Sequence, residues 1–346
     1  MMKHIAIHML TAYPPSNPNR DETGQPKTAV VGGKTRQRIS SQCIKRTWRL
    51  SGPMSHLCDQ FSMRTRGLGS EVLKLLTANG TLPKVAMDRA KKIAEKFGKI
   101  DPKRTPDHSE MVVFGHEEWG AAMALAQVLG QEQRDPTEAE LDALPRSTQS
   151  IDCALFGRMR AADPSLNVDA AVSVSHCLTV NQANIESDFW TSVDDLKQAD
   201  ENADGGAGGM GDVEFGSGIY YTYVDIDVAQ LLENLSGDSG RARDAIGALI
   251  KAMATTTPGG HRATFGHQGR ASYLRAEIGD SSGNLFCPAF ETPINSMTKA
   301  IEKLRATSEN ISRVYSLERH IAELSVPEET GTLSQVIQAA VQTVEG

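Results

Sequence analysis

Apolar and polar residues alternate from the start of the chain: Ile5, Ile7 and Met9 share one face between His4 and Leu10. A period of two predicts a half-buried opening strand. Pro, Asn and Gly crowd residues 11–33, which read as a long loop. Residues 36–39 read as a short extended piece. Ser40 stands where a cap belongs, ahead of a helix running to about Leu50 and stopped by Gly52-Pro53. The period then becomes helical. Val72, Leu75 and Leu76 share a face, as do Val85, Ala86, Ala90, Ile93, Ala94 and Phe97 before Gly98. Residues 101–109 form a Pro-containing loop, 117–129 an Ala-rich helix, and Thr137-x-x-Glu140 opens another with a capping-box pattern. Period two resumes in Ile151, Cys153 and Leu155, and in Val172, Val174, His176 and Leu178, which predicts two strands. Residues 182–215 are polar, acidic and Gly-rich. A strand at 218–228, a helix at 242–253, an extended piece at 271–278 and helices at 294–304 and 333–344 complete the pattern. The expectation is an α+β fold: one β-centred body with a helical insertion over 59–144 and a projection over 182–215.

Charge changes this picture more than composition does. The 346 residues are 39% hydrophobic and 23% charged, ordinary values for a globular chain with a sizeable core. No run is long and apolar enough for a membrane span, and the N-terminus lacks a signal-peptide pattern, so a cytoplasmic location is expected. The net charge of −7 argues at first against a nucleic-acid partner. Residues 1–66, however, hold eleven Lys and Arg against three acids, a local +8, and the remainder carries −15. No acid occurs between Thr23 and Cys58. Such asymmetry predicts one surface for an anion on a body that repels other polyanions. The five cysteines, Cys43, Cys58, Cys153, Cys177 and Cys287, form no C-x-x-C pair. Buried free thiols are expected, with no disulfide framework, metal site or cofactor.

The densest candidate chemistry lies in residues 32–49, GGKTRQRISSQCIKRTWR. Two glycines allow close backbone approach to a ligand. Lys34, Arg36 and Arg38 alternate, so an extended backbone would point all three one way. Ser40, Ser41 and Gln42 open a helix whose N–H groups favour phosphate. Gln42, Lys45 and Arg49 then share one helical face, and Ile44 and Trp48 a buried one. An RNA backbone fits this array, and so does an ordinary solvated basic face over a core helix.

These residues carry a resemblance. Asn19-Arg20-Asp21, Gly32-Gly33-Lys34, Arg38-Ile39-Ser40-Ser41-Gln42 and Lys45-Arg46 resemble the N-terminal signature of the CasC-type backbone subunit of the type I-E CRISPR Cascade complex, within the RAMP superfamily. The likeness continues in Gly157-Arg158-Met159, Phe189-Trp190-Thr191-x-Val193-Asp194-Asp195-Leu196, Glu214-Phe215-x-Ser217-Gly218 and Pro258-Gly259. It implies an RRM-like (ferredoxin-like) palm over 1–58, 145–181 and 216–346, helical fingers over 59–144 and a thumb hairpin over 182–215. It implies several copies stacked along one CRISPR RNA, supporting its pairing with target DNA. Large and small subunits, a 5′-end capping subunit and a 3′-end RNA-processing endonuclease would be the other partners. The RNA contacts expected are Arg20, Lys27, Lys34, Arg36, Arg38, Ser40, Gln42, Lys45, Arg46, Arg49, Arg158 and Met159, with Phe189, Trp190 and Thr191 reaching a base from the thumb.

No catalysis is expected. The alternative is RNA cleavage by Asp21, since related backbone subunits use a loop aspartate. Gly206-x-Gly208-x-x-Gly211 matches a dinucleotide fingerprint in form, but neither a strand before it nor a helix after it is predicted. Asp225 and Asp227 lack further metal ligands, and His116-Glu117 lacks the second His of a zinc helix. His261 and Arg262, after Pro258-Gly259-Gly260, are as readily loop residues as backbone contacts.

Overall fold

The structure, a computed structural model, describes residues 4–160, 163–192 and 209–345. Eleven strands are described: β1 (His4–Ser16), β2 (Thr28–Val31), β3 (Lys34–Ile39), β4 (Met63–Thr65), β5 (Val112–Phe114), β6 (Val172–Val174), β7 (Cys177–Thr179), β8 (Glu186–Ser192), β9 (Gly209–Asp227), β10 (Tyr273–Gly279) and β11 (Arg319–Ser325). Two compact units emerge. One takes in Met1–Met54, Ser173–Ile226 and Ile246–Gly346, the other Ser55–Val172 and Asp227–Ala245. The second unit thus includes 145–172 and 227–245 as well as the helical insertion, segments that the sequence reading gave to the palm.

The first unit is built on a sheet in the order β11-β10-β1-β9-β7-β3-β2, with β6 and β8 also pairing with β9. Pairing is antiparallel between β1 and β10, β10 and β11, β2 and β3, β3 and β7, β7 and β9, and β8 and β9. The expected α+β class is what is found. Leu10, Val180, Tyr221, Tyr273, Phe286, Phe290, Ile301 and Leu304 make a buried cluster in which the helices Phe286–Phe290 and Met297–Tyr315 meet strand residues. Burying side chains of this size supplies roughly 1.5–3 kcal/mol each. β1 runs on to Ser16 through Pro14 and Pro15, where a loop was expected. Proline's fixed φ suits extended backbone, and β1 pairs with β10 only over His4–Leu10.

The second unit packs α2 (Leu68–Ala78), α3 (Pro83–Glu95) and α4 (His116–Glu132) around Val72, Leu76, Ala90, Ile93, Phe97, Phe114, Ala126 and Leu129. Small Ala and Gly positions let backbones close: a Cβ on Gly69 would lie 2.0 Å from the Pro106 carbonyl oxygen. The capping box at Thr137 is as read, with Glu140 N–H donating to the Thr137 hydroxyl and the Glu140 carboxylate accepting from Thr137 N–H.

Several expectations need correction. Ile151–Phe156 is a helix, not a strand. Five successive residues, Ile151 to Leu155, are buried, which alternation on a half-buried strand cannot explain. A short apolar run does not distinguish the two by itself. Residues 172–178 form two short strands, parted by Ser175 and His176. Strand β11, unread in the sequence, pairs along the whole of β10. The cysteines are free, but Cys58 and Cys287 are exposed and Cys43 is half-buried, so only Cys153 and Cys177 are the buried thiols expected. Among the described residues no helix is long and apolar enough to cross a membrane, and no cluster of His, Cys, Asp or Glu could hold a metal ion.

Candidate nucleic-acid interface

The β2–β3 hairpin turns on Gly32 and Gly33, whose φ angles of 59° and 70° suit glycine. Their role is this turn and a close approach within the protein: a Cβ on Gly32 would lie 2.5 Å from the Glu291 carbonyl oxygen. The hairpin leaves Lys34 exposed near its tip and Arg38 half-buried. Arg36, between them, is interior. Its guanidinium donates to the carbonyl oxygens of Val180 (2.5 Å), Phe290 (2.8 Å), Glu291 (3.1 Å) and Thr179 (3.4 Å). The three cations do share a strand face, but Phe290 and Glu291 cover that face at Arg36. As a free phosphate contact Arg36 is therefore corrected: it is a structural donor.

The first helix, α1 (Ser41–Arg49), is capped as read, with the Ser40 hydroxyl accepting from Cys43 N–H at 3.3 Å. Ile44 and Trp48 are buried, as their spacing required. Gln42 and Arg46 are exposed, and Lys45 and Arg49 half-buried. Fewer helix-start donors are available than expected. Ser41 N–H donates to His176 Nδ1 at 3.1 Å, and Cys43 N–H is taken by Ser40.

The loop before the hairpin is pinned to this surface. Asn19 accepts from Ser40 N–H through its side chain (2.9 Å) and from Lys27 N–H through its carbonyl (3.0 Å). Lys27 in turn accepts from Arg38 N–H at 2.7 Å. Arg20 is exposed and donates to His261 Nε2 at 2.6 Å, and burial followed by the Arg20 charge lowers the His261 pKa. Asp21 accepts from Thr23 N–H (2.8 Å), the Thr23 hydroxyl (2.7 Å) and Gln25 N–H (3.0 Å). Led by the Thr23 hydroxyl, these bonds hold its carboxyl below the usual range. Lys27, Lys34, Arg38, Lys45, Arg46 and Arg20 thus lie on one chain segment whose backbone is tied together by hydrogen bonds. It offers an anion several cations and no acid inside 23–58.

β8 pairs with the first part of β9 from Glu186↔Phe215 to Ser192↔Gly209, and all seven β8 residues are exposed. Phe189 is 60% and Trp190 47% exposed. Adjacent strand residues face opposite sides of a ribbon, so the two rings flank it, with Thr191 on the Phe189 side. Trp190 lies over its register partner Gly211, where a Cβ would sit 3.0 Å from the indole nitrogen. Val193-Asp194-Asp195-Leu196 and most of the Gly-rich tip lie outside the described residues.

In the second unit, Arg158 and Met159 part company. Met159 is 79% exposed. Arg158 is buried, pairs with Glu118 at 2.8 Å and donates to the carbonyl oxygens of Arg146 (3.0 Å) and Leu166 (2.9 Å). Its expected role as a phosphate or sugar contact is corrected, since the ion pair already uses it. His176 at the α1 cap was read only as one residue of an alternating run, and no spacing in the sequence links it to Ser41.

Among solved structures, the chain is similar to one titled "CRISPR RNA-guided surveillance complex, pre-nicking", with a TM-score of 0.85 and 27% identity over 99% of this chain and 100% of that one. A second, titled "CRISPR RNA-guided surveillance complex", shares the fold with a TM-score of 0.62 and 24% identity over 98% of both chains. No curated protein matched the sequence. The likeness to a Cascade backbone subunit carried by the sequence motifs therefore holds for family and fold. The family model described as CT1975-like protein matches residues 5–345, and the chain belongs to that family.

Proposed function

We propose that this chain is a guide-RNA-binding backbone subunit of a type I-E surveillance complex, and that it works without catalysing a reaction. Copies stack along one CRISPR RNA, each holding the RNA backbone with the β3–α1 face through Arg20, Lys27, Lys34, Arg38, Ser40, Gln42, Lys45, Arg46 and Arg49. Phe189, Trp190 and Thr191 on the β8–β9 ribbon meet bases or the neighbouring copy and support pairing with target DNA, and Met159 adds an apolar contact from the second unit. The large, small, 5′-capping and 3′-processing subunits complete the assembly, in the cytoplasm, around an RRM-like palm. The observation that carries this reading is the acid-free cationic segment 23–58, set in a chain that matches a surveillance-complex structure over its full length.

Against the RNA-cleaving alternative stands the use of Asp21, whose carboxylate accepts three hydrogen bonds within its own loop. A carboxylate so stabilised is a weak base. The test is the salt dependence of single-stranded RNA binding by the Lys34→Ala/Lys45→Ala double variant. Each lost phosphate contact should flatten the slope of log K against log[salt] by about 0.7. An unchanged slope would remove these cations from the RNA face. Labelled RNA kept with the protein and Mg²⁺ should stay intact in wild type and Asp21→Asn alike, and Asp21-dependent cleavage would restore the alternative.

A further inference from the structure

Ser41 N–H can only donate, so the His176 Nδ1 that it meets at 3.1 Å must be an unprotonated acceptor. In a neutral imidazole the proton then sits on Nε2. The cap therefore fixes the tautomer, although His176 is an exposed residue where either form would otherwise be open to it. Among the described residues Nε2 has no hydrogen-bond partner, so a fixed N–H donor is left unused on an exposed side chain.

Its surroundings are cationic. His176 precedes Cys177, which pairs with Ile39 on β3, next to Arg38. Arg38 N–H is bonded to the Lys27 carbonyl, which brings the β3 cation to the loop cation. Both charges reach the ring: burial first, then Arg38 and Lys27, lower the His176 pKa. The ring thus stays neutral where a further positive charge would be repelled. Asp21, Glu22 and Glu214 line a pocket with the same Lys27 and Arg38, but the charges that act on the ring are those of the two cations, and a neutral donor near them is complementary to an anionic oxygen.

We infer that His176 is a further guide-RNA contact: with Nδ1 held by Ser41 N–H, its Nε2–H donates to a backbone phosphate oxygen beside Lys27 and Arg38. The inference rests on the guide-RNA reading and adds a residue to that site. The competing role is a helix cap and nothing more, and side-chain isosteres separate the two. Asn at 176 keeps an acceptor near the Nδ1 position and has nothing at Nε2. Gln places a donor near Nε2 and loses the cap.

Affinity for a short single-stranded RNA would be followed by fluorescence anisotropy, with thermal melting of the same samples. His176→Asn should bind about tenfold more weakly with a near-native melting temperature, the loss expected of one hydrogen bond to a charged group. His176→Gln should stay within about threefold of wild type even if its melting temperature falls. Native affinity in His176→Asn, or losses that track melting temperature across both variants, would overturn the inference in favour of a cap. A DNA strand of the same sequence should show the same fold-loss, and a loss confined to RNA would overturn the phosphate assignment in favour of the ribose hydroxyl. If Lys34→Ala/Lys45→Ala flattens the salt slope while His176→Asn changes nothing, only this inference fails. If the double variant also leaves the slope unchanged, the RNA reading fails with it.

Discussion

The β3–α1 face and the interior of the helical unit are both rich in basic side chains, and they use them in opposite ways. On the face, Lys34 and Arg46 stand exposed, Lys45 half-buried, with no acid between Thr23 and Cys58. In the helical unit Glu118 is fully buried between Arg158 at 2.8 Å and Arg160 at 3.2 Å. Charges without partners are retained at a surface where water solvates them, and they become useful when a polyanion displaces that water and its counterions. Charges in the interior persist only where a partner or carbonyl oxygens replace the water. Arg36 shows that the division follows environment and not sequence neighbourhood. It lies two residues from Lys34 and yet spends its guanidinium on four carbonyl oxygens.

This contrast can be broken from the buried side first, where the effect should be greatest. Arg158→Ala removes one partner of a buried ion pair and should destabilise the protein by about 3–5 kcal/mol in urea unfolding. Under conditions where it folds, its RNA salt slope should equal that of wild type. A flattened slope would put Arg158 back among the RNA contacts.

The ribbon sharpens the comparison with a middle-sized effect of the opposite kind. Phe189→Ala and Trp190→Ala remove exposed rings, so unfolding free energy should shift by less than about 0.5 kcal/mol. Binding should weaken by about 1–3 kcal/mol for each ring that stacks on a base. A protein that unfolds more easily while holding RNA as before would make the rings part of a packed core.

The smallest effect is a pH dependence in the first unit's own interior. His8 is buried, with Nδ1 2.9 Å from the Tyr221 hydroxyl and Nε2 3.7 Å from Glu277. Burial lowers its pKa below 6.5, against the pull of Glu277 and with help from Arg275 and Arg319. The unfolded chain then binds the proton more readily than the folded one. This contribution is complete above the unfolded value and is lost as pH falls from there through the folded value, at no more than about 1.4 kcal/mol per pH unit. Urea midpoints should therefore fall between pH 7 and pH 5.5, and less so in His8→Gln. Equal slopes in the two proteins would assign the acid sensitivity to other groups.

Much of this molecule is local enough to read along the chain. Ser40 caps α1 because its hydroxyl needs only the N–H three residues on, and Ile44 and Trp48 are buried because helical spacing puts them on one side. Thr137 and Glu140 form their capping box for the same reason, and Val336 and Ala340, four residues apart, share the buried side of the helix Leu333–Gln342. The sequence reading of Ile151–Phe156 as a strand fails because its five apolar residues around Asp152 suit either period, and only the packing around them buries five residues in succession, Asp152 included. β11 was missed because Arg319, His320 and Glu323 hide a strand whose only strong signal is its partner β10. The chain by itself determined its class, its caps, its acid-free cationic segment and the motifs of its family, since each depends on neighbours within a few residues. Only the tertiary structure decided which cations are free, why Arg36 and Arg158 are not, and that His176 meets Ser41, 135 residues away. A charge's availability depends on what else packs against it, and that is set by contacts between segments far apart in sequence.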